Sequence, residues 1–287
     1  MKTRFLAILV FLNVAALAES VVLPRPKHIV IVFEEDRSFR QVIGNKKVPY
    51  MNSLAQRGAL FTNSFGITHP SLPNYIAFFS GSTHRVRNNK CSNGPRFAME
   101  PNLGSELISN GFSFIGYAES LPHPGYLGCA VGKYARKHNP WVRFTNLPQE
   151  QVNLPFTSFP ADYNQLPTVS IVVPNLRNDG HDASLAVADQ WLKDNLDAYI
   201  TWTEQNNSLF ILTWDEGAGR GNHIPTIFIG PMVQPGQYDE RIDHYRVLRT
   251  ILDMYGLKPM ANAITAEPIQ SVWKPAPVSA EAPDQKF

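Results

Sequence analysis

Cysteine is scarce in this chain of 287 residues: there are two, Cys91 and Cys129. Neither lies in a CxxC or Cys-His spacing, which argues against a thiol that holds a metal or performs catalysis. In an exported protein the two are expected to form one disulfide. No sign of charge dominates, with 26 Lys and Arg against 24 Asp and Glu for a net of +2. Without a basic block, neither nucleic acid nor an anionic membrane is expected as an obligatory partner. No internal repeat is evident, and one glycosylation sequon occurs, Asn206-Asn207-Ser208. Past the start of the chain no segment approaches the ~18 apolar residues of a membrane span. The mature chain is therefore expected to be soluble, without stable membrane insertion.

The first residues read as a secretory signal. Lys2 and Arg4 make a basic start, residues 5–18 are an apolar run, and Ala16-Leu17-Ala18 is a small-residue cleavage site. Loss of residues 1–18 removes Lys2 and Arg4 and leaves the chain neutral, in an extracellular or periplasmic setting. Residues 19–273 suffice for one large α/β domain. The Pro- and Ala-rich residues 274–287 are expected to be disordered.

Residues 28–33, His-Ile-Val-Ile-Val-Phe, form a β-branched run of the kind buried on both faces of a parallel sheet. Further strands are expected at 59–65, 112–117, 168–173, 209–214 and 225–229. Helices are expected at 49–57, 103–110, 184–205 (with Asp182 as candidate N-cap) and 244–255. This alternation predicts a mostly parallel central sheet with helices on both faces. Ligands of such sheets bind beyond the carboxyl ends of the strands. Residues 121–162, rich in Pro, Gly, Asn and aromatics without a period, read as an irregular excursion, a candidate lid or specificity region.

The stretch Thr68-His69-Pro70-Ser71-Leu72-Pro73-Asn74-Tyr75 precedes an apolar run that ends at Gly81. Pro73 suits a first helical turn and Gly81 a stop. Ser71 then falls at or just before a helix N-terminus, where backbone N–H groups and the helix dipole favour an anion. It is either a plain N-cap or a nucleophile whose transition state meets donors already in place. The acidic residues bear on that choice. Three expected strands end in them: Glu34, Glu35 and Asp36; Asp179 and Asp182, flanking His181; and Asp215 and Glu216. In a parallel sheet all would reach one edge, where they repel unless a cation intervenes or their pKa values rise. A hard divalent ion bound by oxygens is the simplest resolution, and it would also acidify a coordinated serine hydroxyl.

Four motifs together resemble a known family. They are Phe33-Glu34-Glu35-Asp36-Arg37-Ser38-Phe39, His69-Pro70-Ser71-Leu72-Pro73-Asn74-Tyr75, Val173-Pro174-Asn175-Leu176-Arg177-Asn178-Asp179-Gly180-His181-Asp182 and Thr213-Trp214-Asp215-Glu216. The family is that of the secreted phosphoesterases, which includes bacterial and fungal acid phosphatases and bacterial phospholipases C. The resemblance covers nearly the whole mature chain and implies a fold similar to the alkaline-phosphatase and arylsulfatase superfamily. It implies that Glu35 and Asp36 bind a divalent metal ion from the end of the first strand. Asp215 and Glu216 would bind the same ion from the fifth, Ser71 would be both ligand and nucleophile, and Asp179 is a further candidate ligand. The family usually carries Asn at position 36, and some of its phosphatases carry Asp at position 216.

His181 fits the family's phosphate-contacting or second-metal position, with a buried structural histidine as the alternative. His223 is a candidate for binding phosphate or protonating the leaving alkoxide, or for orienting its loop. His69, two residues before Ser71, faces either the site, as a substrate contact, or away from it. His84-Arg85-Val86-Arg87-Asn88 resembles a loop of related nucleotide phosphodiesterases, which implies a phosphate contact for Asn88; a polar turn is the alternative. Glu34 points away from Glu35 on an extended chain. The expectation is a secreted, metal-dependent acid phosphatase that hydrolyses phosphomonoesters, small molecules or phosphoinositides, through a phosphoserine. A phosphodiesterase or phospholipase C on the same scaffold is the alternative, and a non-catalytic phosphate- or metal-binding protein a third. A sulfatase is disfavoured, because Ser71 lacks the Cys/Ser-x-Pro-x-Arg context.

Overall fold

All seven residues of strand β1 (His28–Glu34) are buried. Its β-branched run serves two cores at once: Ile29, Ile31 and Phe33 enter one, Val30 and Val32 the other. The structure is a computed structural model that describes residues 22–91 and 97–275. The expected signal, residues 1–18, and most of the expected tail lie outside the described residues. After β1 come α1 (Phe39–Val42), α2 (Pro49–Arg57), β2 (Ala59–Phe65), α3 (Ser71–Ser80), α4 (Leu103–Ser109) and β3 (Phe114–Ala118). A small hairpin follows, β4 (Ala130–Val131) and β5 (Tyr134–Ala135), then two 3-10 turns (Arg136–His138 and Pro140–Arg143). The chain continues through α5 (Gln149–Val152), β6 (Asn153–Pro155), β7 (Val169–Val173), α6 (Leu185–Thr203) and β8 (Ser208–Trp214). It closes with β9 (His223–Ile229), β10 (Gly236–Tyr238), β11 (Ile242–Asp243) and α7 (His244–Met254).

Nine strands form one sheet in the order β10-β2-β9-β8-β1-β7-β3-β6, with β11 also pairing with β2. The run β8-β1-β7-β3-β6 is parallel throughout. Strand β9 runs against both β8 and β2, so β2, and with it β10 and β11, points the same way as the rest. The carboxyl ends of β1, β2, β7 and β8 therefore share one edge, and the reversed β9 begins there with His223. Helices α3, α4 and α7 cover one face of the sheet, and α2 and α6 the other. The architecture is the mostly parallel α/β sheet expected.

One local feature differs from the sequence reading, and two others gain detail. Helix α6 is preceded by Ser184 as its N-cap residue, not Asp182. The Asp182 carboxylate is instead taken by Lys133 Nζ at 3.3 Å and His181 Nδ1 at 2.9 Å. The irregular excursion, residues 121–162, is packed down. Trp141, Val142 and Phe144 are buried, Trp141 Nε1 donates to Asn153 Oδ1 at 2.8 Å, and β6 adds a strand to the sheet edge. Aromatic anchors set one at a time leave no period to read, yet each fills a core site. At the carboxyl end, Lys274 is tied down, its backbone N–H donating to Met232 O at 2.8 Å.

The Cys91–Cys129 disulfide is formed, closing a separation of 38 residues between the segment after α3 and the excursion. Among the described residues no helix is long and apolar enough to cross a membrane.

Candidate active site

Helix α3 begins at Ser71 itself, and all ten of its residues are buried. It stops at Gly81, whose φ of 71° is left-handed and whose N–H reaches Ala77 O. A Cβ there would lie 2.5 Å from Met260 O, so glycine is required on both counts. Asn74 fastens the approach to the helix: its Oδ1 accepts from the N–H groups of Ile67 (2.9 Å) and Thr68 (3.0 Å). Asn89 Oδ1 accepts from Leu72 N–H at 2.9 Å, satisfying one of the orphan donors of the first turn. Ser71 is thereby held in a fixed place.

Its hydroxyl lies 3.0 Å from Glu35 Oε2 and 3.2 Å from Glu216 Oε1, and its one proton can serve only one of them at a time. Glu35 follows β1, Asp179 follows β7, and Asp215 and Glu216 follow β8, as parallel strands place them. Backbone bonds stitch these strand ends together: Glu35 N–H to Asp179 O (2.8 Å) and Asp215 N–H to Glu34 O (3.1 Å). Asp36 N–H donates to Asp215 Oδ1 at 3.1 Å. Asp36 has a φ of 45°, a left-handed conformation that Asn and Asp tolerate best among non-glycine residues.

One participant escaped the sequence reading. His138, from the excursion, is buried with Nε2 2.9 Å from Glu35 Oε1, out of line for a hydrogen bond, and Nδ1 3.6 Å from Asp179 Oδ2. Its ring stacks on Tyr75 of α3 at 5.2 Å, and neighbouring Lys137 Nζ sits 4.0 Å from Glu35 Oε2. Only the Lys137-His138 pair inside an aperiodic stretch marked it.

The electrostatics are uneven. Burial alone would raise Glu35, but His138 and then Lys137 outweigh it and hold the carboxyl well below its usual range. Burial, and next the charge on Glu35, push Asp179 up to about 8 and Asp215 well above an ordinary carboxylate. Burial also raises Glu216, against the pull of His69. Burial lowers His138, with Glu35 opposing.

Among the described residues no group of three His, Cys, Asp or Glu side chains stands arranged to hold a metal ion. The donor set nonetheless fits a hard divalent cation. It is made of oxygens, and buried Asp215 Oδ2 and Asp179 Oδ2 have no hydrogen-bond partner among the described residues.

The other candidates lie around this centre. His69 is exposed, with Nδ1 on Glu216 Oε2 and Nε2 3.2 Å from Gly219 O. His181 is exposed too; its N–H donates to Asp179 Oδ1 at 2.9 Å while its ring leans on Asp182. His223 reaches the expected edge, but its Nε2 is 2.9 Å from Thr62 O and its ring is stacked on Phe39 (4.7 Å) and Phe65 (5.2 Å). Asn88 is exposed and accepts from Lys90 N–H at 3.0 Å, while its neighbour Asn89 accepts from Leu72 N–H at the start of α3. Glu34 is buried on the side away from the site, as alternation requires, and burial raises it well above its usual value.

Comparison with known proteins gives the family and the fold. Residues 44–258 match the phosphoesterase family. The chain is 50% identical over 255 residues to the phosphatidylinositol-3-phosphatase of Mycobacterium tuberculosis, covering 88% of this chain and 84% of that one. It is 30% identical over 232 residues to an acid phosphatase of Aspergillus fumigatus, covering 74% of this chain and 52% of the other, about half its length. Among solved structures, an alkaline phosphatase superfamily protein from Vibrio parahaemolyticus matches with a TM-score of 0.59 at 15% identity, covering 87% of this chain and 72% of that one. The phosphonate monoester hydrolase of Agrobacterium radiobacter matches with 0.53 at 14% identity, covering 87% and 79%. At such identities these two establish the fold alone. The chain belongs to the phosphoesterase family and is a phosphoric ester hydrolase on an alkaline-phosphatase-like fold.

Proposed function

We propose that the protein is a secreted, metal-dependent acid phosphatase that hydrolyses phosphomonoesters with Ser71 as nucleophile. The observation that carries this reading is the position of the Ser71 hydroxyl. It sits on the first residue of a buried helix, within 3.2 Å of carboxylates from two different strands. Its proton can pass to Glu216 Oε1, the more basic of the two neighbouring carboxylates because burial raises Glu216 while Glu35 is held low. Ser71 Oγ attacks phosphorus, the bond to the alcohol oxygen breaks, and a phosphoserine forms. Water then attacks that phosphoserine and gives a proton to His181, which had lost its own to the leaving alcohol; phosphate leaves, and Ser71 Oγ recovers its proton from Glu216. A divalent ion held by Glu35, Asp36, Asp215 and Glu216, with Asp179 beside them, would neutralise their charge and favour the serine alkoxide.

His181 is assigned as the acid for the leaving alcohol. Asp182 orients its Nδ1, and among the described residues its Nε2 has no partner. His223, pinned to Thr62 O, orients its loop, and His69 holds Glu216. Secretion is supported by the signal-like residues 1–18 and by the disulfide. Similarity to a phosphatidylinositol-3-phosphatase brings phosphoinositides within the candidate substrates.

The test is Ser71→Ala assayed on an aryl phosphate. Turnover should fall by at least about 10³-fold with folding retained. In wild type, acid quench and peptide mapping should find phosphate on the peptide bearing Ser71. Wild-type turnover by the variant would overturn the reading.

A further inference from the structure

A cavity of about 560 Å³ opens beside the start of α3. Its lining includes Leu72, Arg85, Arg87, Asn88, Lys90 and Arg143 and, among the described residues, no carboxylate. None of Arg85, Arg87 and Lys90 forms an ion pair among the described residues. Arg85, Arg87 and Lys90 share the cavity without such an ion pair among the described residues and repel one another, and a bound anion relieves that repulsion. The volume lies in the range of small-molecule sites.

The cavity is fastened to the nucleophile. Leu72 follows Ser71 directly, about 3.8 Å apart at Cα, and its N–H is the one that Asn89 holds. The loop that carries the cations is anchored at its start by His84. The His84 Nε2 is 3.0 Å from Ser80 Oγ, and its ring stacks on Phe97 at 4.4 Å. The disulfide at Cys91 anchors the loop's far end. Between them His84 and Arg85 hold left-handed φ values of 47° and 61°. A loop held in this way presents its charges without paying the full ordering entropy on binding.

We propose that this cavity is a second phosphate subsite, which takes a phosphoryl group carried on the leaving alcohol. The preferred substrates are then phosphomonoesters with a second phosphoryl group, not simple monoesters. The proposal rests on the reading of Ser71 as the attacking group. The carboxylate centre by itself repels a substrate with two phosphates; a cationic cavity one residue away reverses that. Arginine suits the role because its planar fork grips phosphate oxygens in pairs. A phosphoinositide headgroup and a free sugar bisphosphate share this chemistry.

The test is steady-state kinetics of wild type, Arg87→Ala/Lys90→Ala and Arg85→Asn (which tolerates the left-handed backbone). The substrates are 4-nitrophenyl phosphate, a free inositol bisphosphate and a short-chain phosphoinositide. Thermal midpoints confirm that each variant is folded. On the doubly phosphorylated substrates kcat/KM should fall at least about 10-fold, chiefly through KM, for the loss of charge-assisted contacts. On 4-nitrophenyl phosphate it should change less than about 2-fold. A selective loss on the lipid alone, or on the free bisphosphate alone, supports the subsite and identifies its source. Equal losses on all three substrates, or none on any, overturn it. Failure of wild type to hydrolyse any of the three would overturn the phosphatase reading instead.

Discussion

Glu35 stays ionised beside Asp179, Asp215 and Glu216, which burial drives toward their neutral forms. For Asp179 the folded value, about 8, lies above the ~3.9 of an unfolded chain. A carboxyl raised in this way adds stability that is fully present below pH ~3.9 and lost as pH rises through about 8. Between pH 7 and 8.5 the depressed histidines, His28, His84, His138 and His244, are neutral in the fold and at most about a quarter protonated when unfolded, so they oppose the trend only weakly. The metal-stripped protein should therefore lose thermal stability across that interval. Asp179→Asn, which keeps an oxygen for His181 N–H, should flatten the loss by the equivalent of at least about 1 kcal/mol, or ~2–4 °C. Scanning calorimetry of both proteins checks this; equal slopes would mean that Asp179 titrates normally. At this scale Glu35, Asp179, Asp215, Glu216 and Ser71 were legible, because buried strand runs point to the acids at their ends. His138 was not, because nothing local distinguishes it from any histidine in a loop.

The same contrast holds for elements. Strands β1, β7 and β8 were readable as apolar β-branched runs, whereas β6, β10 and β11 are too short to carry a period. The direction of β9 was equally hidden, since an apolar run has no sense until it pairs. The excursion shows what such short segments depend on. Gly116 of β3 lies under Trp141, and a Cβ there would sit 2.2 Å from the indole ring. Gly116→Ala should displace Trp141 and with it the 3-10 turn that delivers His138. A stability loss of about 1–3 kcal/mol is expected for such overpacking, seen as a lower urea midpoint and altered tryptophan fluorescence. A midpoint matching wild type would show that the excursion yields without cost.

For the molecule as a whole, the sheet gathers charges that solvent alone cannot balance. If a divalent ion resolves them, chelation should abolish turnover of aryl phosphate and lower the thermal midpoint, and readdition of the ion should restore both. The stabilisation should be larger at pH 8 than at pH 5, because ligand carboxyls must first surrender their protons. Full turnover by protein shown by elemental analysis to be metal-free would exclude the ion from the reaction.

The sequence by itself determined the α/β class, the strand-end acids, a helix beginning at or just after Ser71 and the likeness to phosphoesterases. Each of these depends on local periodicity, punctuation or a contiguous motif, and all are fixed within a few residues. Tertiary structure decided that His138 meets Glu35, that His223 is stacked between two phenylalanines, and that four cations line one cavity beside Leu72. The first two are contacts between segments far apart in the chain, and the third joins one local basic loop to Arg143 and Leu72 from elsewhere; all are set by which strands pair and which way they run.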